Sequence, residues 1–186
     1  MKKVIVAFAL MTIIVGVATA QTTTYTNYPN IGFQKIGVKV GPVLPNTPYN
    51  VGFAFAINTD LGKLHEVIGL EGTVEYMRIT KSVLETYTNS LSDFSGIITL
   101  KIMPGIESLP FDPYIGGGLG LHYYITKLDE RQSGANEEPG EMRLELHLAL
   151  GATMPLKEGI TGIFTFKANF SDITTYNPYV GVMFDL

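Results

Sequence analysis

The 186-residue chain contains no cysteine. That excludes a disulfide framework and any thiolate metal site, and leaves the redox compartment open. Charge is sparse, with Asp, Glu, Lys and Arg at 16% of residues, and no basic patch with interleaved aromatics occurs. A nucleic-acid surface is therefore excluded. The three histidines, His65, His122 and His147, never fall in an H-x-x-x-H spacing, and the D-x-D-x-D-G run of an EF-hand is missing as well. Beyond residue 20 no uninterrupted apolar run approaches the roughly 20 residues of a membrane-spanning helix. If this chain crosses a bilayer, it does so as strands.

The first twenty residues read as a cleaved signal peptide rather than part of a fold. Lys2 and Lys3 make a basic start, residues 4–17 are apolar, and Ala18-Thr19-Ala20 is a small-residue cleavage site. Residues 21–186 remain, enough for one domain. Removing Lys2 and Lys3 from 13 basic residues leaves 11 against 17 acidic ones, a formal charge of −6. Residues 21–32, rich in Thr, Tyr, Asn and Pro, read as a flexible lead-in, and residues 33–186 as a single β domain.

What the chain does have is alternation. Tyr49-Asn50-Val51-Gly52-Phe53-Ala54-Phe55-Ala56-Ile57-Asn58 places large apolar side chains on odd positions and only Asn, Gly and Ala on even ones. Strand side chains point to opposite faces with period two, so one face is greasy and the other small or polar. Eight such segments are predicted: 33–41, 49–58, 67–79, 93–103, 113–125, 142–153, 160–170 and 178–186. Pro113 and Pro178 then fall at strand starts, where a missing N–H is tolerated. Eight strands put both ends of the sheet on one side. The connections on that side are 59–66, 104–112 and 154–159. Those on the other are 42–48, 80–92, 126–141 and 171–177, with 80–92 and 126–141 the longest and most polar.

The fold class turns on which face is inside. The face opposite the Phe, Leu and Ile residues carries Lys35, Lys39, Glu71, Glu75, Lys101, Arg143, Glu145, Lys167 and Asp185, five positive and four negative. Charges shut in a narrow lumen must be paired, because an unpaired buried ion costs several kcal/mol. The near balance fits a lumen, and so does Gly116-Gly117-Gly118 with Gly120, which weakens an exposed strand but leaves space inside a barrel. The prediction is an all-β, eight-stranded antiparallel up-and-down transmembrane barrel. Its competitor is a soluble lipocalin-like carrier with the greasy face inward.

The end of the chain, Tyr179-Val180-Gly181-Val182-Met183-Phe184-Asp185-Leu186, resembles the C-terminal β-signal of bacterial outer-membrane proteins. Gly181, Phe184 and Leu186 match that pattern. Tyr179 matches in part, and Leu186 stands where Phe is commoner. Pro113-Tyr114-Ile115-Gly116-Gly117-Gly118-Leu119-Gly120 similarly resembles the PY-x-G-x-G-x-G strand of small OmpA/OmpX-like and OmpW-like barrels. The resemblance covers residues 33–186 and implies location in a Gram-negative-type outer membrane. It also implies contact with outer-membrane lipid and lipopolysaccharide, and insertion by the outer-membrane assembly machinery acting on Tyr179, Gly181, Phe184 and Leu186. It departs from the longer OmpA pattern, since no peptidoglycan-binding domain is expected after the barrel.

Glu71, Glu75, Lys101, His122, Arg143, Glu145, His147 and Lys167 are predicted to form a polar network that fills the lumen. His122 and His147 with Glu145 are the residue types of a metal or acid–base cluster. No ligand spacing supports that use, and no strand sets Ser and His two apart on one face for nucleophilic chemistry. Neither catalysis nor a cofactor or metal is expected. The acidic loop 127–141 reads as solvated, and His65 as a solvated turn residue. Tyr25, Tyr28, Tyr49, Tyr76, Tyr87, Tyr123, Tyr176 and Tyr179 are predicted to form interfacial girdles. A monomeric barrel acting structurally or through its external loops is the functional expectation, with a narrow conduit for small or hydrophobic solutes as the alternative.

Overall fold

The computed structural model describes residues 28–46, 48–84, 87–106, 108–127 and 140–186. The proposed signal peptide, Tyr25 and the acidic stretch 128–139 lie outside these residues. Eight strands follow one another: β1 Asn30–Pro45, β2 Asn50–His65, β3 Ile68–Leu84, β4 Tyr87–Ile102, β5 Asp112–Lys127, β6 Glu141–Lys157, β7 Ile160–Phe170 and β8 Thr175–Asp185. Each is antiparallel to the next, and β8 returns to β1, closing the barrel. Closure leaves no sheet edge, the condition for strands to cross a hydrocarbon layer.

The strands run 11 to 17 residues, and most exceed the 9–11 residues a tilted span requires. Three expectations are corrected by that length. The lead-in ends sooner than residue 32, because β1 already begins at Asn30. Pro42 and Pro45 belong to β1 rather than to a turn. The predicted long loop 80–92 is mostly strand: β3 and β4 pair out to Ser82↔Thr88 and Leu84↔Tyr87. Alternation fades there because the side chains leave the apolar layer, so a polar hairpin resembles a loop when read from sequence alone.

Pro178 is also inside β8 rather than at its start. The register between β1 and β8 runs unshifted from Val40↔Val180 to Leu44↔Tyr176, which sets Pro42 opposite Pro178. Neither has an N–H to give, so the ladder lacks bridges at this level. The two prolines leave the barrel seam locally without ladder hydrogen bonds.

Alternation decides the faces as predicted for a membrane barrel. Leu144, Leu146, Leu148 and Leu150 are 56–68% exposed, whereas Glu145, His147 and Ala149 between them are buried. Val51, Phe53, Phe55 and Ile57 stand outward in the same way, with Ala54, Ala56 and Asn58 buried. A lipocalin-like arrangement is excluded, because the greasy face is the outer one. No helix among the described residues is long and apolar enough to cross a membrane.

The lumen has two tiers. Toward the end that carries the β1–β2, β3–β4, β5–β6 and β7–β8 connections (the loop end), Val43, Ala54, Met77, Ile79, Leu91 and Tyr179 form an apolar plug, joined by Tyr49, Tyr124 and Ile173. Below it sit the charged residues. Glycines of β5 and β6 make room for them: a Cβ on Gly118 would come within 2.9 Å of the His147 ring, and one on Gly120 within 2.5 Å of His122 Nε2.

Gly151 is paired with Tyr114, whose ring lies across it. A side chain at 151 would fall 2.5 Å from the Tyr114 hydroxyl and 2.3 Å from the Phe164 carbonyl oxygen. Gly151→Leu should therefore expel the Tyr114 ring and cost about 1–3 kcal/mol, the scale of an overpacked site. The check is the urea midpoint of the refolded barrel in lipid vesicles; an unchanged midpoint would show that the ring has room to move.

Candidate functional site: the charged lumen

Seven of the eight residues predicted to form the luminal network meet there. Glu71 is the centre of one group: it accepts from Lys39 Nζ at 2.8 Å and from Lys101 through its other oxygen, while Thr73 donates to it at 3.2 Å. All three charged members are nine-tenths or more buried. The strands explain the meeting. Lys39, Glu71 and Lys101 occupy inward positions on β1, β3 and β4, and long side chains reach across a lumen too narrow for solvent. Lys101 Nζ also stands 4.3 Å above the centre of the Tyr114 ring, whose hydroxyl is 2.5 Å from Thr165 Oγ1. A cation over an aromatic face gains electrostatic stabilisation, more so when desolvated.

Lys167 and Glu75 form the second group at 2.5 Å, spanning the barrel from β7 to β3. Tyr179 lies between the groups, with Lys39 and Lys167 at 5.8 and 5.6 Å from its ring centre. It is 1% exposed, so it belongs to the lumen and not to an interfacial girdle. The other girdle tyrosines divide. Tyr76 packs outside between Phe53 and Phe94 with tilted rings, Tyr176 lies outside on Phe166, and Tyr28 is exposed against His65.

His122 builds the third group. Its Nδ1 is 2.7 Å from Asp93 and its Nε2 is 3.9 Å from Glu145, which accepts from the Tyr124 hydroxyl at 2.9 Å. Each ring nitrogen is turned to a separate carboxylate, so the three do not converge on one point that an ion might occupy. Among the described residues no set of three His, Asp or Glu side chains is placed to share a metal. His147 stays apart, bonded to Thr99 Oγ1 at 2.9 Å. Sequence reasoning missed Asp93 as a member, although its odd-numbered position on β4 puts it on the same face as Ser95, Thr99 and Lys101.

Arg143 is the member that does not belong. It has the inward parity, yet it lies at the loop-end rim, bonded to Glu141 at 2.7 Å and to exposed Asp172 at 2.5 Å. The rim is open to solvent, and a long guanidinium there reaches surface carboxylates sooner than the lumen. Hydrogen bonding to Arg143 holds the Glu141 carboxyl below its ordinary range. Exposed pairs of this kind contribute little to stability.

The terminal segment divides between the two faces. Phe184 and Leu186 stand outward, 46% and 73% exposed, whereas Tyr179 is luminal. Gly181 meets Lys39 of β1, and a Cβ there would lie 2.7 Å from that side chain. Glycine at 181 thus admits the lysine that serves Glu71. The lumen around this network holds an internal cavity of about 10 Å³, room for about one water. Nothing in this arrangement offers a substrate-sized space.

No protein family and no curated protein matches the chain in sequence. Solved structures match in fold. Neisserial surface protein A superposes with a TM-score of 0.56 at 13% identity, covering 83% of this chain and 96% of that one. Ail, the attachment invasion locus protein of Yersinia pestis, gives 0.52 at 10%, with 83% and 99% covered. The outer membrane protein OprG of Pseudomonas aeruginosa gives 0.51 at 13%, with 86% and 99% covered. The fold is that of the small eight-stranded outer-membrane β-barrels.

Glu71 neutralises two lysines, which sets an order among variants. Glu71→Leu leaves Lys39 and Lys101 buried without their shared partner and should cost roughly 3–5 kcal/mol. Lys101→Met leaves the Lys39–Glu71 pair intact and should cost clearly less. Urea unfolding of both variants in vesicles tests the order, and equal losses would remove Glu71 from the centre of the group.

Proposed function

We propose that this chain is an integral protein of a Gram-negative-type outer membrane, with a structural or surface-interaction role carried by the loop end. The observation that carries this reading is the inverted distribution of polarity. Apolar side chains ring the outside, and charges are paired inside a side-chain-filled lumen. A water-soluble protein of this size would expose its lysines and glutamates, and here Lys39, Glu71, Glu75 and Lys167 are all below 6% exposed. Eight-stranded barrels have interiors just wide enough for side chains to fill. The apolar plug and the ion-paired tier both weigh against the conduit reading.

The proposed external surface differs from the one expected. A hairpin replaces the loop 80–92: Lys81–Asn89 pairing extends past the last β2–β3 partner, Asn50↔Thr80, and the last β4–β5 partner, Ser90↔Lys127. A backbone already paired as a hairpin has less to order on binding than an unpaired loop of equal length. The structural neighbours include a surface protein and an attachment protein, in line with a contact role, but only the fold is shared with them.

We also propose that residues 179–186 act as the assembly signal, since Phe184 and Leu186 present apolar side chains on the outer wall of the last strand.

Three measurements bear on this reading. Outer-membrane fractions run unheated and boiled on a denaturing gel should show a band whose mobility changes only on boiling; a soluble protein without that shift would overturn the membrane assignment. In planar bilayers the folded protein should give no stepwise conductance, and steady channel openings would restore the conduit. Phe184→Asp with Leu186→Asp should accumulate unassembled chain, measured by loss of the heat-shifted form. Normal assembly would remove the signal role.

A further inference from the structure

We infer that the β4–β5 connection, residues 103–111, is an interfacial anchor that seats Ile106, Leu109 and Phe111 in the lipid leaflet at the rim opposite the loop end. The inference rests on the membrane-spanning reading above and adds to it a lipid contact made outside the strands.

The connections at that rim differ in kind. β2–β3 and β6–β7 turn within residues 66–67 and 158–159, with Glu66 and Glu158 exposed. The β4–β5 connection is nine residues long, and Glu107 is the only charged residue in its sequence. Ile106, Leu109 and Phe111 are 43%, 37% and 36% exposed, and Pro104 and Pro110 are exposed beside them. A connection in water has no need of such side chains, and apolar residues grouped on a surface mark a contact site.

The occupant follows from what the connection continues. The β4–β5 ladder ends at Ile102↔Ile115, and both side chains are more than half exposed on the outer wall. They close the lipid-facing side of these two strands, so the apolar surface of the connection begins where that side stops. Met103 takes the inward place. A Cβ on Gly69, a buried position on the luminal face of β3, would come within 2.5 Å of Met103 Cε. The lumen thus has its apolar cover here from Met103, and the exposed residues after it are left for another contact. Gly105, at φ +59°, gives the left-handed turn that separates the two parts.

A segment at the lipid border must also account for its backbone N–H groups, which hydrocarbon does not solvate. Pro104 and Pro110 have none. The Met103 N–H donates to the Val67 carbonyl at 2.8 Å, and the Leu109 N–H to the Ile106 carbonyl at 3.0 Å. Four of the nine residues therefore bring no unpaired N–H to the border. An aromatic ring at Phe111, flanked by aliphatic side chains, is the composition that settles at a membrane interface.

The chain contains no tryptophan, so a single introduced one reports its own surroundings. The test is the fluorescence of Leu109→Trp and Phe111→Trp in the full barrel refolded into phosphatidylcholine vesicles. Glu158→Trp, in the β6–β7 turn of the same rim, controls for the affinity of tryptophan itself for interfaces. Both connection variants should emit to the blue of Glu158→Trp and resist acrylamide in the water. They should lose emission to lipids brominated near the top of the acyl chain, about 5–10 Å into the headgroup–acyl boundary, where an interfacial apolar face lies. Emission and acrylamide quenching equal to those of Glu158→Trp would overturn the inference. So would a blue emission that brominated lipid leaves untouched, which would seat these residues on protein instead, in the same chain or a second copy. The heat-shifted gel band shows which variants have folded, and either connection variant carries the test alone. Leu148→Trp, on the outer wall of β6, separates the two levels. Its quenching by brominated lipid with none in the connection rejects only the anchor, whereas no quenching at Leu148→Trp rejects the membrane reading and the anchor together.

Discussion

Every charge on the inner wall of this barrel has to find its counter-charge within the lumen, and that constraint orders the rest of the structure. The outer wall is apolar, and the interior is filled by side chains. An ion on an inward position therefore has neither solvent nor a surface partner. Glu71 answers this by serving Lys39 and Lys101 together, and Glu75 by crossing the barrel to Lys167. These contacts join β1, β3, β4 and β7; β3 and β4 are neighbours in the ladder, whereas β1 and β7 reach β3 only through intermediate strands. The ladder closes the cylinder, and the ion pairs brace it across its diameter. Removing one acid exposes two cations to a medium that does not hydrate them, so the cost falls on the whole cross-section.

The small residues of the inner face are the other half of the same arrangement. Long side chains lie across a lumen only where the positions beside them are small, and Gly118, Gly120, Gly151 and Gly181 supply that space next to His147, His122, Tyr114 and Lys39 respectively, each on the same or the adjacent strand. The glycine run of β5, weak as strand material, is therefore matched to the bulky polar residues around it. The resemblance of residues 113–120 and 179–186 to outer-membrane patterns has a local physical cause here. The glycines stand where a neighbouring lysine, histidine or tyrosine needs the volume.

Much of this was legible in the sequence, because a period of two needs no knowledge of register. Fold class, strand number, the orientation of the two faces and seven of the eight luminal residues follow from alternation and charge balance alone. Register is what alternation does not supply. Arg143 shares the parity of Glu145 and His147, and its position two pairs nearer the rim than Glu145 sends it to Asp172. Asp93 sits at the start of a predicted segment, where it reads as a boundary, yet pairing with Tyr124 places it beside His122. The same limit hides the hairpin of β3 and β4. Outside the apolar layer no contrast between faces is needed, so the strands continue while their pattern stops.

The apolar plug was hidden for a related reason, and it bears on what the barrel can do. Val43 and Leu91 occupy inward positions that alternation assigns to turns or loops, and Ile79 is the last residue of its predicted segment. Their neighbours in sequence give no sign that they meet. Packed together they cover the charged tier from the loop end, and an apolar cover over an ion-paired layer strengthens the pairs by keeping water from competing for them. On the reading proposed above, the same cover stands in the way of solutes, since a passing molecule would have to displace close-packed side chains and then separate buried ions. A lumen built this way spends its polarity on holding the wall rigid. On the reading proposed above, the surfaces left for contact are the outer wall and the two rims.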